Sequence, residues 1–180
     1  PFVDEAKEPQ GCVEVEETEA STGTAEQGQL QSCAASIIMT IMFVARLARH
    51  DLLRPCGHLA TEIHSWTPES DRRLHKMMCY INSSLGDRQI GFVGDPLQNL
   101  WLGLFADADF AGCKVTKRST SGCFLCLTGP NTLFPLGAFS RKQTCVSRST
   151  PEAELASADS AVRLEGLPAL DLWAVAYTHL

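Results

Sequence analysis

The strongest constraint on the fold of this chain is a change in hydrophobic spacing at Gly86. Before it, apolar residues recur at intervals of three and four, which is the spacing of a buried helical face. After it come short apolar runs bounded by Gly, Pro and Asn, a pattern typical of strands joined by tight turns. The 180 residues, 44% of them apolar, suffice for one ordinary domain. The pattern therefore predicts an α+β fold with helices first and a sheet second.

Residues 30–86 are predicted to form a helical segment. A first helix covers residues 31–49, a second covers residues 57–65 after a turn at 53–55, and a third starts at Thr67. The apolar run of the first helix extends over residues 33–45 and contains Ser36 and Thr40, whereas a membrane span needs roughly 20 apolar residues. We therefore expect a buried helix. One face of the third helix is predicted to fill the core with Leu74, Met77, Met78, Ile81 and Leu85.

Residues 89–173 are predicted to form a sheet followed by a helix. The four expected strands are residues 89–93, 100–108, 121–128 and 135–140, and their connections are short enough for hairpins, so the sheet should start antiparallel. Residues 149–165 predict a helix that Gly166 and Pro168 should end. The tail, residues 174–180, has no assignment.

Charge and cysteine usage narrow the possible classes of protein. Residues 1–30 hold eight acidic residues and one lysine, a net charge of −7, which leaves +1 for the rest of a chain whose total is −6. We interpret residues 1–29 as an acidic disordered linker. The eight cysteines are scattered and no signal peptide precedes them, so we expect reduced thiols in an intracellular protein (cytoplasm or nucleus) that is not secreted. Cys123 and Cys126 should point to opposite faces of a strand, which disfavours zinc.

Two segments concentrate carboxylates that hard cations such as Mg²⁺ prefer. Asp107 and Asp109 are two apart on a predicted strand and so share a face; a strand end that simply reaches solvent is the alternative. On the later helix, Ser149 as N-cap gives Glu152 the capping-box position. That role leaves Glu154 as the helical candidate for metal binding, with the small Ala158 expected to let the helix approach the sheet.

Four motifs in order then resemble the ribonuclease H domain of copia-type retrotransposon Pol polyproteins. They are residues 107–112 (DADFAG), 117–122 (KRSTSG), 139–143 (FSRKQ) and 149–154 (STPEAE). Residues 43–51 and 67–81 resemble the connection segment that links the reverse transcriptase to that domain. The resemblance covers about residues 33–173, with Leu155 where the family usually has an aromatic residue. It implies a partial ribonuclease-H-like fold, truncated after its first helix.

The resemblance implies hydrolysis of the RNA strand of an RNA–DNA hybrid, with the hybrid and the rest of the Pol polyprotein as partners and no membrane. The family uses two Mg²⁺ ions, with Mn²⁺ a possible substitute; one activates water and the other stabilises the leaving oxygen. By motif, Asp107 corresponds to the first-strand aspartate and Glu154 to the helix glutamate, while Asp109 is a further candidate metal ligand.

Basic residues beside the strands are candidate nucleic-acid contacts. Arg118, Arg141 and Lys142 could bind phosphate, and solvated turn charges are the alternative. The family's two remaining aspartates follow this helix, and neither Asp159 nor Asp171 is placed to replace them. We therefore expect this chain by itself to be inactive. The alternatives are a decayed relic and a non-catalytic nucleic-acid-binding or scaffolding module.

Overall fold

The computed structural model describes residues 26–113 and 115–178. They form a mixed α+β structure in which helices cover both faces of a three-stranded antiparallel sheet. In chain order the elements are α1 (Gln31–Leu47), α2 (Leu53–Glu62), α3 (Pro68–Ser83), β1 (Trp101–Asp109), β2 (Thr120–Gly129), β3 (Thr132–Lys142), α4 (Thr150–Ala161) and α5 (Leu167–Thr178). The predicted order of helices, antiparallel strands and a further helix is thereby confirmed.

Helices α1 to α3 pack around one apolar cluster. The fully buried Ile38, Cys56 and Leu74 each come from a different helix of the three. Of the predicted face of α3, Leu74 and Met77 are buried, whereas Met78 is 43% and Leu85 64% exposed. The core stripe of this helix is therefore narrower than the sequence indicates.

The start of α2 differs from the prediction. The helix begins at Leu53 rather than at residue 57, so the expected turn at residues 53–55 is instead its first turn. Pro55 is tolerated there because the first turn of a helix does not need the N–H group that proline lacks. The start of α3 agrees with the prediction: Thr67 Oγ1 accepts from the Ser70 N–H at 3.3 Å, and Ser70 Oγ accepts from the Thr67 N–H at 3.4 Å.

The sheet is a meander of order β1-β2-β3. In its register Phe105 lies opposite Phe124, which in turn lies opposite Ala138. Ala138 belongs to the apolar cluster of α1 to α3 and Phe124 packs against it. Because side chains alternate along a strand, this row defines the face that α1 to α3 cover.

Helix α4 covers the opposite face of the sheet. Its contacts are with β1 and β2, and the Leu104 side chain on that face lies beside Gly166, where an added Cβ would come within 3.0 Å of Leu104 Cδ2. The sheet is thus the middle of three layers.

The predicted strand at residues 89–93 is wrong. The segment makes a single bridge, in which the Phe92 N–H donates to Leu133 O at 2.9 Å and the Leu133 N–H donates to Phe92 O at 3.0 Å. Gly91 and Gly94 flank this bridge, and glycine weakens a strand because it has no side chain to pack. Ile90 is accordingly 80% exposed.

The predicted end of the last helix is also wrong. After α4, residues Val162–Gly166 form a π-helical turn, and the Leu167 N–H donates to Val162 O. Pro168 then occupies the first turn of α5, directly after this π-helical turn. Residues 174–178 of the unassigned tail consequently belong to α5.

The first 25 residues of the predicted acidic linker lie outside the described residues. The described end of that segment is hydrogen-bonded to α3 and to the residues just before it. The Gly28 N–H donates to Trp66 O at 3.1 Å, and the Gln29 N–H donates to Asp71 Oδ2 at 2.6 Å.

Across residues 26–113 and 115–178, none of the helices combines the length and the apolar character that a membrane span requires.

Candidate functional site

Asp107 and Asp109 lie at the end of β1. Asp107 is exposed and stands opposite Gly122, while Asp109 is half-buried and stands opposite Thr120. The Asp109 carboxylate forms an ion pair with Arg54 of α2 and accepts from the Gly112 N–H at 3.0 Å. Asp109 is therefore already engaged by cationic and N–H groups, whereas Asp107 remains open to solvent.

Helix α4 is fastened to β1 at Asp107. The Ser157 hydroxyl donates to Asp107 O at 2.6 Å and also lies 3.4 Å from Gly122 O. Ser157 is flanked one turn away on each side by Ala153 and Ala161, and all three are fully buried. This stripe of small residues allows the close approach. Ala158, which the sequence nominated for it, is exposed.

At the N-terminus of α4 the predicted N-cap residue is Ser149, but the Glu152 side chain has a different partner from the predicted one. Ser149 Oγ accepts from the Glu152 N–H at 3.4 Å, but the Glu152 carboxylate accepts from the Arg148 N–H at 2.7 Å instead of from Ser149. Glu152 is thus occupied with capping. Glu154 is half-buried and follows the buried Ala153.

A buried glutamine joins the sheet to α4. Gln143 Nε2 donates to Ser121 Oγ at 3.0 Å and to Ala153 O at 2.9 Å, and its Oε1 accepts from the Ser147 hydroxyl at 3.1 Å. The backbone N–H of Gln143 donates to Ser119 O at 2.8 Å. Sequence reasoning missed the structural roles of Gln143 and Ser157; for Ser157, the small residues at 153, 157 and 161 were the available signal.

The predicted metal ligands lie on different layers of the structure. The Ser157 hydrogen bond to the Asp107 carbonyl joins these layers. Alternation places Asp107 and Asp109 on the face covered by α1 to α3, whereas Glu154 belongs to α4 on the other face. Their oxygen donors are of the kind that Mg²⁺ prefers. Among the described residues, however, no group of three or more His, Cys, Asp or Glu side chains is placed to hold a metal ion. The metal site stays a prediction.

Of the three predicted phosphate contacts, Arg141 and Lys142 line one cavity beside α2, and Arg118 is not among its described lining residues. Arg118 is exposed in the loop between β1 and β2. Arg141 and Lys142 are adjacent in β3 and therefore face opposite sides of the sheet. Lys142 shares a row with Thr120 and Asp109, on the side of α2, whereas Arg141 lies opposite Ser121.

A cavity of about 590 Å³ separates α2 from the end of the sheet. We call it the α2–sheet cleft. Its charged and reactive lining groups are Arg54, His58, Glu62, Arg73, Cys113, Arg141 and Lys142. Sequence reasoning nominated Arg141 and Lys142 from this set. The others belong to distant segments that only the packing of α2 brings together.

Cys113 is the one cysteine among the described lining residues of the cleft. Thr116 and then Lys142 lower the pKa of Cys113 to about 6 through hydrogen bonds that favour the thiolate. The Lys142 Nζ donates to Cys113 Sγ at 3.0 Å. In contrast, burial raises the pKa of Cys56 and of Cys123 to about 11. All seven cysteines within the described residues are free.

Comparisons of this chain with protein-family models, with curated proteins and with solved structures found no match.

Proposed function

We propose that this chain contains part of a copia-type ribonuclease H domain, whose reaction is hydrolysis of the RNA strand of an RNA–DNA hybrid. The proposal rests on the resemblance of the four motifs in the sequence. The structural observation that supports it best is the Ser157–Asp107 hydrogen bond of 2.6 Å. This bond holds the helix that carries Glu154 against the strand that carries Asp107.

In this proposal, Asp107 and Glu154 would hold the divalent cation. Asp107 is exposed, so its oxygens are accessible to a cation from solvent. Asp109 is a weaker candidate because its carboxylate is paired with Arg54 and bonded to the Gly112 N–H. When bound, Mg²⁺ supplies positive charge that activates water and stabilises the leaving oxygen. The partners are the hybrid and the remainder of the polyprotein, inside the cell.

The ligand set offered by the described residues is small for this reaction, so we expect the 180-residue chain by itself to be inactive. Mg²⁺ is commonly held by one or two carboxylates together with water and substrate phosphates, but the family uses further aspartates. Asp107 and Glu154 also lie on different faces of the sheet, which disfavours the binding of one cation by both carboxylates.

A non-catalytic nucleic-acid-binding module is the second candidate. The observation that favours it is the Arg54–Asp109 ion pair, which places a cation where the sequence predicted a metal ligand. The same ion pair favours the other alternative, a decayed relic of a retrotransposon.

Cleavage of a labelled RNA–DNA hybrid in Mg²⁺ or Mn²⁺ tests the proposal. The 180-residue chain is compared with a chain extended by the sequence that follows in its reading frame. Each is also prepared as Asp107→Asn and as Glu154→Gln. Glu152→Gln is the matched control because Glu152 caps the same helix.

We expect metal-dependent cleavage only in the extended chain, lost in both site variants and retained in the control. Cleavage by the 180-residue chain that both site variants lose would support the site and contradict the expected inactivity. No cleavage from either folded chain would reject the nuclease in favour of the binding module or relic.

A further inference from the structure

The α2–sheet cleft carries more basic than acidic groups. Arg54 and Arg73 of the helical layer line it together with Arg141 and Lys142 of β3. Glu62 is the single carboxylate residue among its described lining residues. Its volume of about 590 Å³ is within the range of small-ligand pockets. Such a lining favours an anionic ligand.

The cationic groups are held in place without using all their donors. Arg54 is paired with Asp109, and Lys142 bonds the Cys113 sulfur at 3.0 Å. Arg73 bonds Glu62 at 2.5 Å and Glu69 at 3.2 Å. A guanidinium carries five N–H donors and an ammonium three. Each side chain is therefore oriented by the protein and keeps donors for a ligand with several acceptor oxygens, as a phosphate has.

The cleft adjoins the end of β1 on the same face of the sheet. Ser140 lines the cleft and shares a sheet row with Gly122 and Asp107. Two strand spacings separate Ser140 from Asp107, about 10 Å. A ligand with repeated phosphates can therefore occupy the cleft and continue past the candidate carboxylates, which a single phosphate cannot do.

We propose that the α2–sheet cleft binds phosphate groups of a nucleic-acid strand through Arg54, Arg73 and Lys142. The choice of a nucleic-acid strand rests on the proposed function, but binding in the cleft requires neither a metal ion nor hydrolysis. The cleft differs from the surface predicted from sequence because Arg54 and Arg73 come from the helical segment. Arg141 also lines the cleft, whereas Arg118 is not among its described lining residues.

Protection of Cys113 from iodoacetamide reports occupancy, because Cys113 lines the cleft. The probe is a 12-base-pair RNA–DNA hybrid in EDTA, and alkylation is followed at each cysteine by mass spectrometry. Cys79 is exposed on α3 outside the lining and serves as the internal reference. We expect the hybrid to slow alkylation of Cys113 at least threefold and to leave Cys79 unchanged. Inorganic phosphate at the same phosphate concentration should give no protection.

Salt dependence supplies a second measurement. Replacing two phosphate-binding arginines should lower the slope of log affinity against log salt by about 2. The test variant is Arg54→Gln with Arg73→Gln. Its control is Arg46→Gln with Arg88→Gln, which removes the same charge from exposed positions outside the cleft. Circular dichroism establishes that both variants fold.

Equal salt slopes in the two double variants would overturn the assignment of the arginines. Absence of protection at Cys113 would overturn binding in the cleft. Equal protection by inorganic phosphate would overturn a nucleic-acid strand in favour of a small phosphate ligand. If the hybrid protects Cys113 but neither the 180-residue chain nor the extended chain cleaves it, the proposed hydrolysis is rejected. The cleft assignment is left standing by that result.

Discussion

Single side chains in this protein acquire their chemistry from neighbours that are distant in sequence. Asp109 is paired with Arg54, which is 55 residues away, and Cys113 receives a hydrogen bond from Lys142, which is 29 residues away. The first contact turns a candidate metal ligand into part of an ion pair. The second turns an ordinary thiol into one that ionises near neutral pH.

Cys113 should therefore titrate with a midpoint near pH 6 in its reaction with iodoacetamide. An ordinary thiol is only a few per cent ionised at pH 7, so at that pH we expect native Cys113 to react about tenfold faster than Cys113 in the denatured chain. Because folding lowers this pKa from 9.0 to about 6, its contribution to stability is fully present above pH 9 and is lost as pH falls through 6.

The variant Lys142→Met removes the ammonium and should shift the reaction midpoint to higher pH. Lys117→Met is the control, since Lys117 is exposed and its side chain is not a partner of Cys113 in the described contacts. An unchanged midpoint in Lys142→Met would show that the lysine does not stabilise the thiolate.

At the scale of elements, α4 is positioned by polar contacts on a surface of small side chains. Ser157 bonds two strand carbonyl groups, and Gln143 reaches the backbone of α4 at Ala153. Buried polar groups need such partners, because an unsatisfied one costs about 1–3 kcal/mol. The interface consequently has a defined register between α4 and β1, which apolar packing of alanines would specify less strictly.

Ser157→Ala should lower the free energy of unfolding by about 1–2 kcal/mol, because the hydroxyl is lost from two buried contacts. Ser160→Ala on the same helix is the control. Among the described residues its hydroxyl bonds only the Ala156 carbonyl of its own helix, and we expect a change within about 0.5 kcal/mol. Urea unfolding followed by circular dichroism measures both. Equal effects would mean that the Ser157 bond does not fasten the helix.

For the whole molecule, the helical segment and the sheet share packing. Phe124 and Ala138 of the sheet meet the apolar cluster of α1 to α3, and His50 packs edge-on against Phe124 with ring centroids 6.0 Å apart. Arg54 adds an ion pair between the same layers. We therefore expect the two parts to unfold together.

Leu74→Ala tests this cooperativity from the helical side. The side chain is 1% exposed, and its truncation should cost about 2–5 kcal/mol. Hydrogen exchange should accelerate in β2 as well as in α3 if the layers form one cooperative unit. Leu85→Ala, at a position 64% exposed, should change the exchange of neither. Acceleration confined to α1 to α3 would show that the sheet is an independent unit.

The sequence by itself determined the local structure of this protein: the helical spacing of residues 31–47, the caps at Thr67 and Ser149, and the alternation of three antiparallel strands. Each of these depends on residues a few positions apart, where backbone preference and side-chain direction act directly. The candidate carboxylates were likewise visible as short motifs. Local rules nevertheless gave the wrong start for α2 and the wrong end for the last helix, because Pro55 and Pro168 each stand in the first turn of a helix.

Only the tertiary structure decided which layer covers which face of the sheet, and hence that Asp107 and Glu154 lie on different faces. It also decided that Asp109 meets Arg54 and that residues 89–93 make one bridge instead of a strand. The cleft of Arg54, Arg73, Cys113 and Lys142 belongs to this class. These outcomes depend on contacts between segments that are tens of residues apart. The free energies of such contacts come from the burial of apolar groups and the pairing of polar groups, which no local sequence pattern encodes.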